Sequence, residues 1–111
     1  MIYFEHQHRN GRFGILYRFE SRGDGLPMHA HPPELEHSVE CLSGSILVRG
    51  PDWRHQVESG ERFIFNSSLP HEVCALSQAI AFHEFTYGQP AEYRSLPPSE
   101  LTGTYEWTVS P

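Results

Sequence analysis

The stretch GLPMHAHPPELEHSVECLSG, residues 25–44, holds three histidines and three glutamates in twenty positions and runs into a strand-like segment. A second stretch, GERFIFNSSLPHEVCA (60–75), has a related form: a glycine-acid pair, an apolar run, a proline-containing loop and a histidine. If His29 and His31 open a strand, the two-residue period of the pleat puts both imidazoles on one face. Two imidazoles on one face reach a single metal ion, and the remaining ligands must come from other strands. His37 opens the next strand-like run, seven residues before Gly44, and His71 follows Gly60 by eleven residues.

Outward from these segments the chain reads as strands. MIYFEHQH and RFGILYRFES flank Asn10-Gly11, a strong hairpin signal. HSVECLSGSILVRG reads as strand, turn at Ser43-Gly44, strand; PDWRHQVESGERFIFN repeats the theme about Ser59-Gly60; HEVCALS and QAIAFHEFTYG form a last pair. Helical periodicity fails except weakly near residues 91–102, where Pro97 and Pro98 interrupt it. Short strands at regular spacing predict an all-β sandwich or barrel. After Gly88 the composition turns to Pro, Ser, Glu and Tyr, an arm that Tyr93, Leu96, Tyr105 and Trp107 are expected to anchor on its own barrel or on a partner's.

The two histidine segments resemble the paired motifs of the cupin family. The first family motif is a glycine, His-x-His, a short spacer, a glutamate, six residues and a glycine; here Gly25, His29-Ala30-His31 and Gly44 answer to it. The second is a glycine-acid pair, a strand, a proline-containing loop and a histidine; here Gly60-Glu61 and Pro70-His71 answer to it. The resemblance covers residues 25–75, and the flanking strands suit the same barrel. It implies a cupin double-stranded β-helix, a jelly-roll barrel. On this reading one cupin domain spans 1–111, with core motifs at 25–44 and 60–75 and a short irregular C-terminal arm over 89–111. It implies one divalent transition metal ion (Fe, Ni, Mn, Zn or Cu) held by His29, His31 and His71 together with a fourth ligand, which the strand register assigns to His37.

His37 stands where most cupins have glutamate, and Glu36 stands beside it, after a spacer one or two residues longer than usual. A one-residue slip would send every following side chain to the opposite face. With His37 inward, Val39 and Cys41 point in and Ser38 and Glu40 point out. With Glu36 inward, Ser38, Glu40 and Leu42 turn in, and burying a carboxylate such as Glu40 costs several kcal/mol or forces its protonation. The register therefore favours His37, with Glu36 as the alternative ligand and Glu34 a solvated loop residue. Of the other histidines, His6-Gln7-His8 reads as an exposed strand end and His55 as surface. His83 shares a face with Ala81 and Phe85, as a core or surface residue or as a pocket residue near the metal ligands. Phe63, Phe65, Phe82, Phe85 and Tyr17 read as core, one or two of them walling the cavity.

Eight Lys and Arg against fourteen Asp and Glu give a net charge of −6, a poor footprint for nucleic acid or an anionic membrane. No apolar run has membrane-spanning length, and the amino terminus lacks a signal-peptide pattern, so a cytoplasmic location is expected. Cys41 and Cys74 read as buried, reduced thiols. A neutral histidine shell leaves a divalent ion its full charge, which favours a small-molecule substrate bringing its own negative charge. The expected function is a metal-dependent enzyme acting on a small organic substrate, anionic ones included. The resemblance implies dioxygenase, isomerase, decarboxylase or lyase chemistry, and Glu36 or His83 is the candidate general base. The alternative is a non-catalytic small-molecule-binding or sensor cupin. An amino-terminal strand with an unpaired edge, together with the resemblance, predicts a homodimer.

Overall fold

The computed structural model describes residues 1–9, 12–30, 37–66, 68–85 and 103–111, leaving aside the side chains at positions 8, 9, 12, 13, 37, 85 and 105. His31, Glu34, Glu36, the Asn10-Gly11 pair, Tyr93 and Leu96 lie outside the described residues. The described residues form ten strands and no helix: β1 (Ile2–Arg9), β2 (Arg12–Phe19), β3 (Gly25–His29), β4 (His37–Ser43), β5 (Ser45–Arg49), β6 (Arg54–Glu58), β7 (Arg62–Phe65), β8 (His71–Ala75), β9 (Ala79–Phe85) and β10 (Gly103–Tyr105). Among the described residues no helix is long and apolar enough to cross a membrane.

Two antiparallel sheets face each other. One has the order β10-β1-β2-β9-β4-β7 and the other β3-β8-β5-β6. The core lies between them, with Ile2, Phe19, Val39, Cys41, Ala79 and Ala81 from the larger sheet meeting Leu26, Ile46, Val48, Val57, Val73 and Ala75 from the smaller. These are the inward positions of strands whose side chains alternate, so the apolar pattern of each strand selects its buried face. Both cysteines are buried thiols, and burial pushes the pKa of each up.

Sequence-adjacent strands pair less often than the turn signals suggest. β1 and β2 form the expected hairpin, with Arg9 opposite Arg12. β5 and β6 form a second, closed by the Gly50 N–H donating to the Trp53 carbonyl at 2.9 Å. The strands about Gly44, about Gly60 and across Ser77-Gln78 instead belong to different sheets. At Ser43-Gly44 and Ser59-Gly60 the chain therefore crosses from one sheet to the other.

The arm beyond residue 102 docks on its own barrel. β10 pairs with Ile2–Phe4 of β1, and Asp24 bridges to Thr108. The Cys74 thiol donates to the Val109 carbonyl at 3.2 Å, and the Arg49 guanidinium reaches the Ser110 carbonyl. Trp107, expected to anchor the arm, is 38% exposed, and the segment is held also by its backbone pairing with β1. Asp24, only 3% exposed, accepts the Glu20 N–H at 3.0 Å, the Ser21 N–H at 3.3 Å and the Met1 ammonium at 2.9 Å. Removing that carboxylate strands several donors, so Asp24→Ala is expected to cost about 1–3 kcal/mol, read as a lower urea midpoint.

Candidate metal-binding site

One end of the barrel gathers the carboxyl end of β3, the start of β4, the end of β7 and the start of β8. His29 closes β3 rather than opening a strand, and β8 begins at His71; the two are Cα partners across the β3–β8 ladder. A register irregularity between Leu26 and His29 turns the strand end so that the imidazoles meet, with ring centroids 4.4 Å apart at 61°. Pairing across this ladder is what brings together two histidines separated by forty-one positions in the chain.

Each ring is held in the same way. His29 Nδ1 lies 2.6 Å from the Pro27 carbonyl, and His71 Nδ1 lies 2.8 Å from the Leu69 carbonyl, both two residues upstream. A carbonyl only accepts, so Nδ1 carries the proton and, in a neutral ring, Nε2 carries the lone pair. This is the arrangement that orients a metal-ligating imidazole. His71 is fully buried, and burial lowers its pKa, opposed by the Leu69 hydrogen bond and assisted by the charge of His29. The neutral ring is therefore favoured in the fold, and protons bind the unfolded chain more readily. The resulting stability is present above the ordinary histidine value of about 6.5 and is lost as pH falls below it. In chelator-treated protein, the urea midpoint is expected to fall between pH 7.5 and 5, and to fall less in His71→Gln.

β4 starts at His37 in the register that puts residues 39 and 41 on the core face, where Val39 and Cys41 are both fully buried. Position 37 is the Cα partner of Phe65, whose ring meets His71 nearly edge-on, centroids 4.9 Å apart. The opposite face carries Ser38 and Glu40, as that register requires. Ser38 is nonetheless buried: its hydroxyl lies 3.4 Å from Glu84 and accepts from Arg62 Nε at 3.2 Å, while Arg62 pairs with Glu84 at 2.9 Å. Among the described residues no group of three or more His, Cys, Asp or Glu comes together as a metal cage. His31 and the His37 side chain, half of the expected ligand set, are outside them.

The remaining histidines divide. His83 is buried on the inner face, beside Val39 and Ile15 in register, with Tyr17 edge-on at 4.7 Å. His6 is half-buried and, paired with Ile15, belongs to the same inward row; it is not the exposed strand end expected. The alternation from buried Ile2 through Phe4 to His6 carried that signal, but the mixed polarity of MIYFEHQH obscured it. His55 is exposed, as expected, yet its ring stacks on Phe63 at 4.1 Å. Phe63 and Phe65 are half-buried beside the core, whereas Phe82 is fully buried outside the main apolar cluster.

No protein-family model matches the sequence, and no curated protein matches it. Solved structures do. The chain is similar to an RmlC-like cupin protein from Desulfovibrio desulfuricans, at TM-score 0.63 and 24% identity over 74% of this chain and 78% of that one. It is similar to a cupin-2 domain containing protein from Shewanella frigidimarina, at TM-score 0.58 and 14% identity over 70% and 72%. It is also similar to an HTH_3 family transcriptional regulator from Vibrio cholerae, at TM-score 0.66 and 17% identity over 79% and 52%. Two facing antiparallel sheets, sheet-switching corners at the motif glycines and these likenesses lead to one conclusion: the chain has the fold of a small cupin.

Proposed function

We propose that this protein is a metal-binding cupin and an enzyme acting on a small organic acid or enolate. The observation that carries the reading is the His29–His71 pair. Two imidazoles are in contact across a strand ladder, each held through Nδ1 by its own backbone, with the start of β4 joined to them through Phe65. That donor chemistry fits an imidazole-binding ion such as Fe, Ni, Mn, Zn or Cu. His29, His31, His37 and His71 would hold it, with Glu36 as the alternative to His37. When bound, such an ion supplies Lewis-acid or dioxygen-activating chemistry.

The protein's own residues supply the rest. The carbonyls of Pro27 and Leu69 fix the two rings, and Val39 and Phe65 give the inward face beside them an apolar lining. His83 and Glu36 remain the candidate general bases. The reading also keeps a cytoplasmic homodimer, associating along the Glu5–Arg9 part of the β1 edge, which no described strand covers. Sedimentation is then expected to give about twice 12.8 kDa, and a clean monomer would contradict the dimer.

The test is metal content by mass spectrometry on untagged protein purified without immobilised metal, for the native chain and His37→Ala. Stoichiometric transition metal in the native chain and its loss in the variant are expected. Retention in His37→Ala would point to Glu36 or to three ligands, and a metal-free native chain after growth in supplemented medium would overturn the reading. Stoichiometric metal without turnover of any small acid would favour the non-catalytic binding or sensor cupin.

A further inference from the structure

The outer face of the larger sheet carries a groove at the end away from the histidine pair. Tyr3, Arg18, Ile80 and Ser43 are Cα partners in one row across β1, β2, β9 and β4. Their chain neighbours Ile2, Phe19 and Ala79 are buried in the core, so alternation turns the row outward. With Glu20 and Gln78 at its rim, the row lines a cavity of about 670 Å³. Small-molecule sites run from roughly 300 to 1,000 Å³. Ser43 enters the row through a bulge. Cys41 faces Ala81, and regular pairing would then set Leu42 opposite Ile80; the register shift after Cys41 sets Ser43 there instead. Bulges commonly re-aim a side chain in this way, and this one brings a hydroxyl to the groove.

Tyr3 keeps two opposite charges apart in this groove. The Arg18 guanidinium rests over its ring, 5.5 Å from the centroid. The Tyr3 hydroxyl donates to the Glu20 carboxylate, and that hydrogen bond and the Glu20 charge raise the Tyr3 pKa. Arg18 and Glu20 share a face of the chain, yet among the described residues they form no ion pair with each other. A guanidinium on a ring keeps its N–H donors at the edge for a second partner. A carboxylate that accepts one hydroxyl still has lone pairs to offer. The Met1 ammonium lies 3.9 Å from Glu20 but is engaged by Asp24 at 2.9 Å.

We infer that this groove binds a zwitterion, an α-amino acid with an apolar side chain: Arg18 takes its carboxylate, Glu20 its ammonium and Ile80 its side chain. Alternate residues of a strand stand about 7 Å apart, room for a molecule whose two charges sit on one carbon. A simple acid would gain Arg18 and be repelled by Glu20, and a simple amine would meet the reverse. Only a ligand carrying both charges gains from both. Ser43 and Gln78 add neutral hydrogen-bonding groups at the rim, and half-buried Ile80 supplies the apolar surface. The inference stands apart from the metal reading, because the row lies on the outer face and uses none of the histidines.

The experiment is calorimetric titration of the full-length protein at neutral pH with three probes: L-leucine, 4-methylpentanoate, which lacks the amine, and 3-methylbutylamine, which lacks the acid. Leucine is expected to bind about tenfold more tightly than either. In Glu20→Gln its advantage over the acid is expected to vanish, and in Arg18→Gln its advantage over the amine. Both side chains are exposed, so the variants should fold, which circular dichroism checks. Treatment with a chelator is expected to leave all these affinities unchanged. Binding of none of the probes, or leucine no tighter than the acid or the amine, would overturn the inference. So would an advantage over the acid surviving Glu20→Gln, or over the amine surviving Arg18→Gln. Leucine binding that disappears on chelation would place the ligand at the histidine end and overturn it too.

Discussion

On the metal-binding reading, His71→Ala is expected to remove most of the stabilisation that a divalent transition metal would give the protein. A ligand at about a hundred times its dissociation constant stabilises the folded state by about 2.7 kcal/mol. For a domain of this length that is a rise in Tm on the order of 10 °C. His71 is fully buried, in ring contact with both His29 and Phe65, and held by Leu69. Mutating groups that only orient a metal-binding side chain commonly costs roughly 10- to 100-fold in metal affinity. Removing the imidazole itself should cost at least as much, which at that concentration erases most of the shift. The variant also leaves a cavity and lowers Tm without metal, so the quantity to compare is the difference between metal-loaded and chelated samples of each protein. His83→Ala, altered on the same inner face but two residues deeper in register than the β4 start, is expected to keep the metal-induced rise. An undiminished rise in His71→Ala would remove His71 from the site.

Gly44→Ala is expected to destabilise the protein by about 3 kcal/mol or more, and Gly60→Ala by only about 1 kcal/mol. Both glycines have left-handed backbones, with φ of 77° and 89°, at corners where the chain passes between sheets. Both alanines therefore carry the conformational penalty. Only Gly44 is also crowded: an added Cβ would stand 2.2 Å from the Gln78 carbonyl oxygen and 2.9 Å from the Ala79 Cα and Cβ. Two of the three are backbone atoms and the third, the Ala79 Cβ, is fixed to that backbone at the start of β9, so relieving the clash means separating the β4–β5 corner from the β8–β9 corner. Around Gly60 nothing lies within 4 Å. Urea unfolding of the two variants separates the steric cost from the conformational one; equal midpoints would contradict the packing described at Gly44.

The barrel was legible in the sequence because alternation and turn glycines are local signals. Val39 and Cys41 could be assigned inward, and Gly44 and Gly60 to turns, from their immediate neighbours. Which strands pair was not legible. β4 reads as the partner of β5 across Ser43-Gly44, yet it lies between β7 and β9, because pairing between distant strands depends on the closure of the whole barrel. The β5–β6 hairpin was missed, although Gly50-Pro51-Asp52 carries turn chemistry. The face of His6 was hidden by a strand that mixes apolar and polar residues on both sides. Of the candidate site, the likeness of the two motifs led to His29 and His71, which the β3–β8 register brings into contact.

The most direct test of the central claim is X-ray absorption at the K-edge of the metal carried by untagged, full-length protein. A histidine-rich centre predicts nitrogen-dominated coordination with the strong outer-shell scattering of several imidazoles, much reduced in His29→Ala and His71→Ala. A spectrum of oxygen ligands alone, without imidazole scattering, would contradict it.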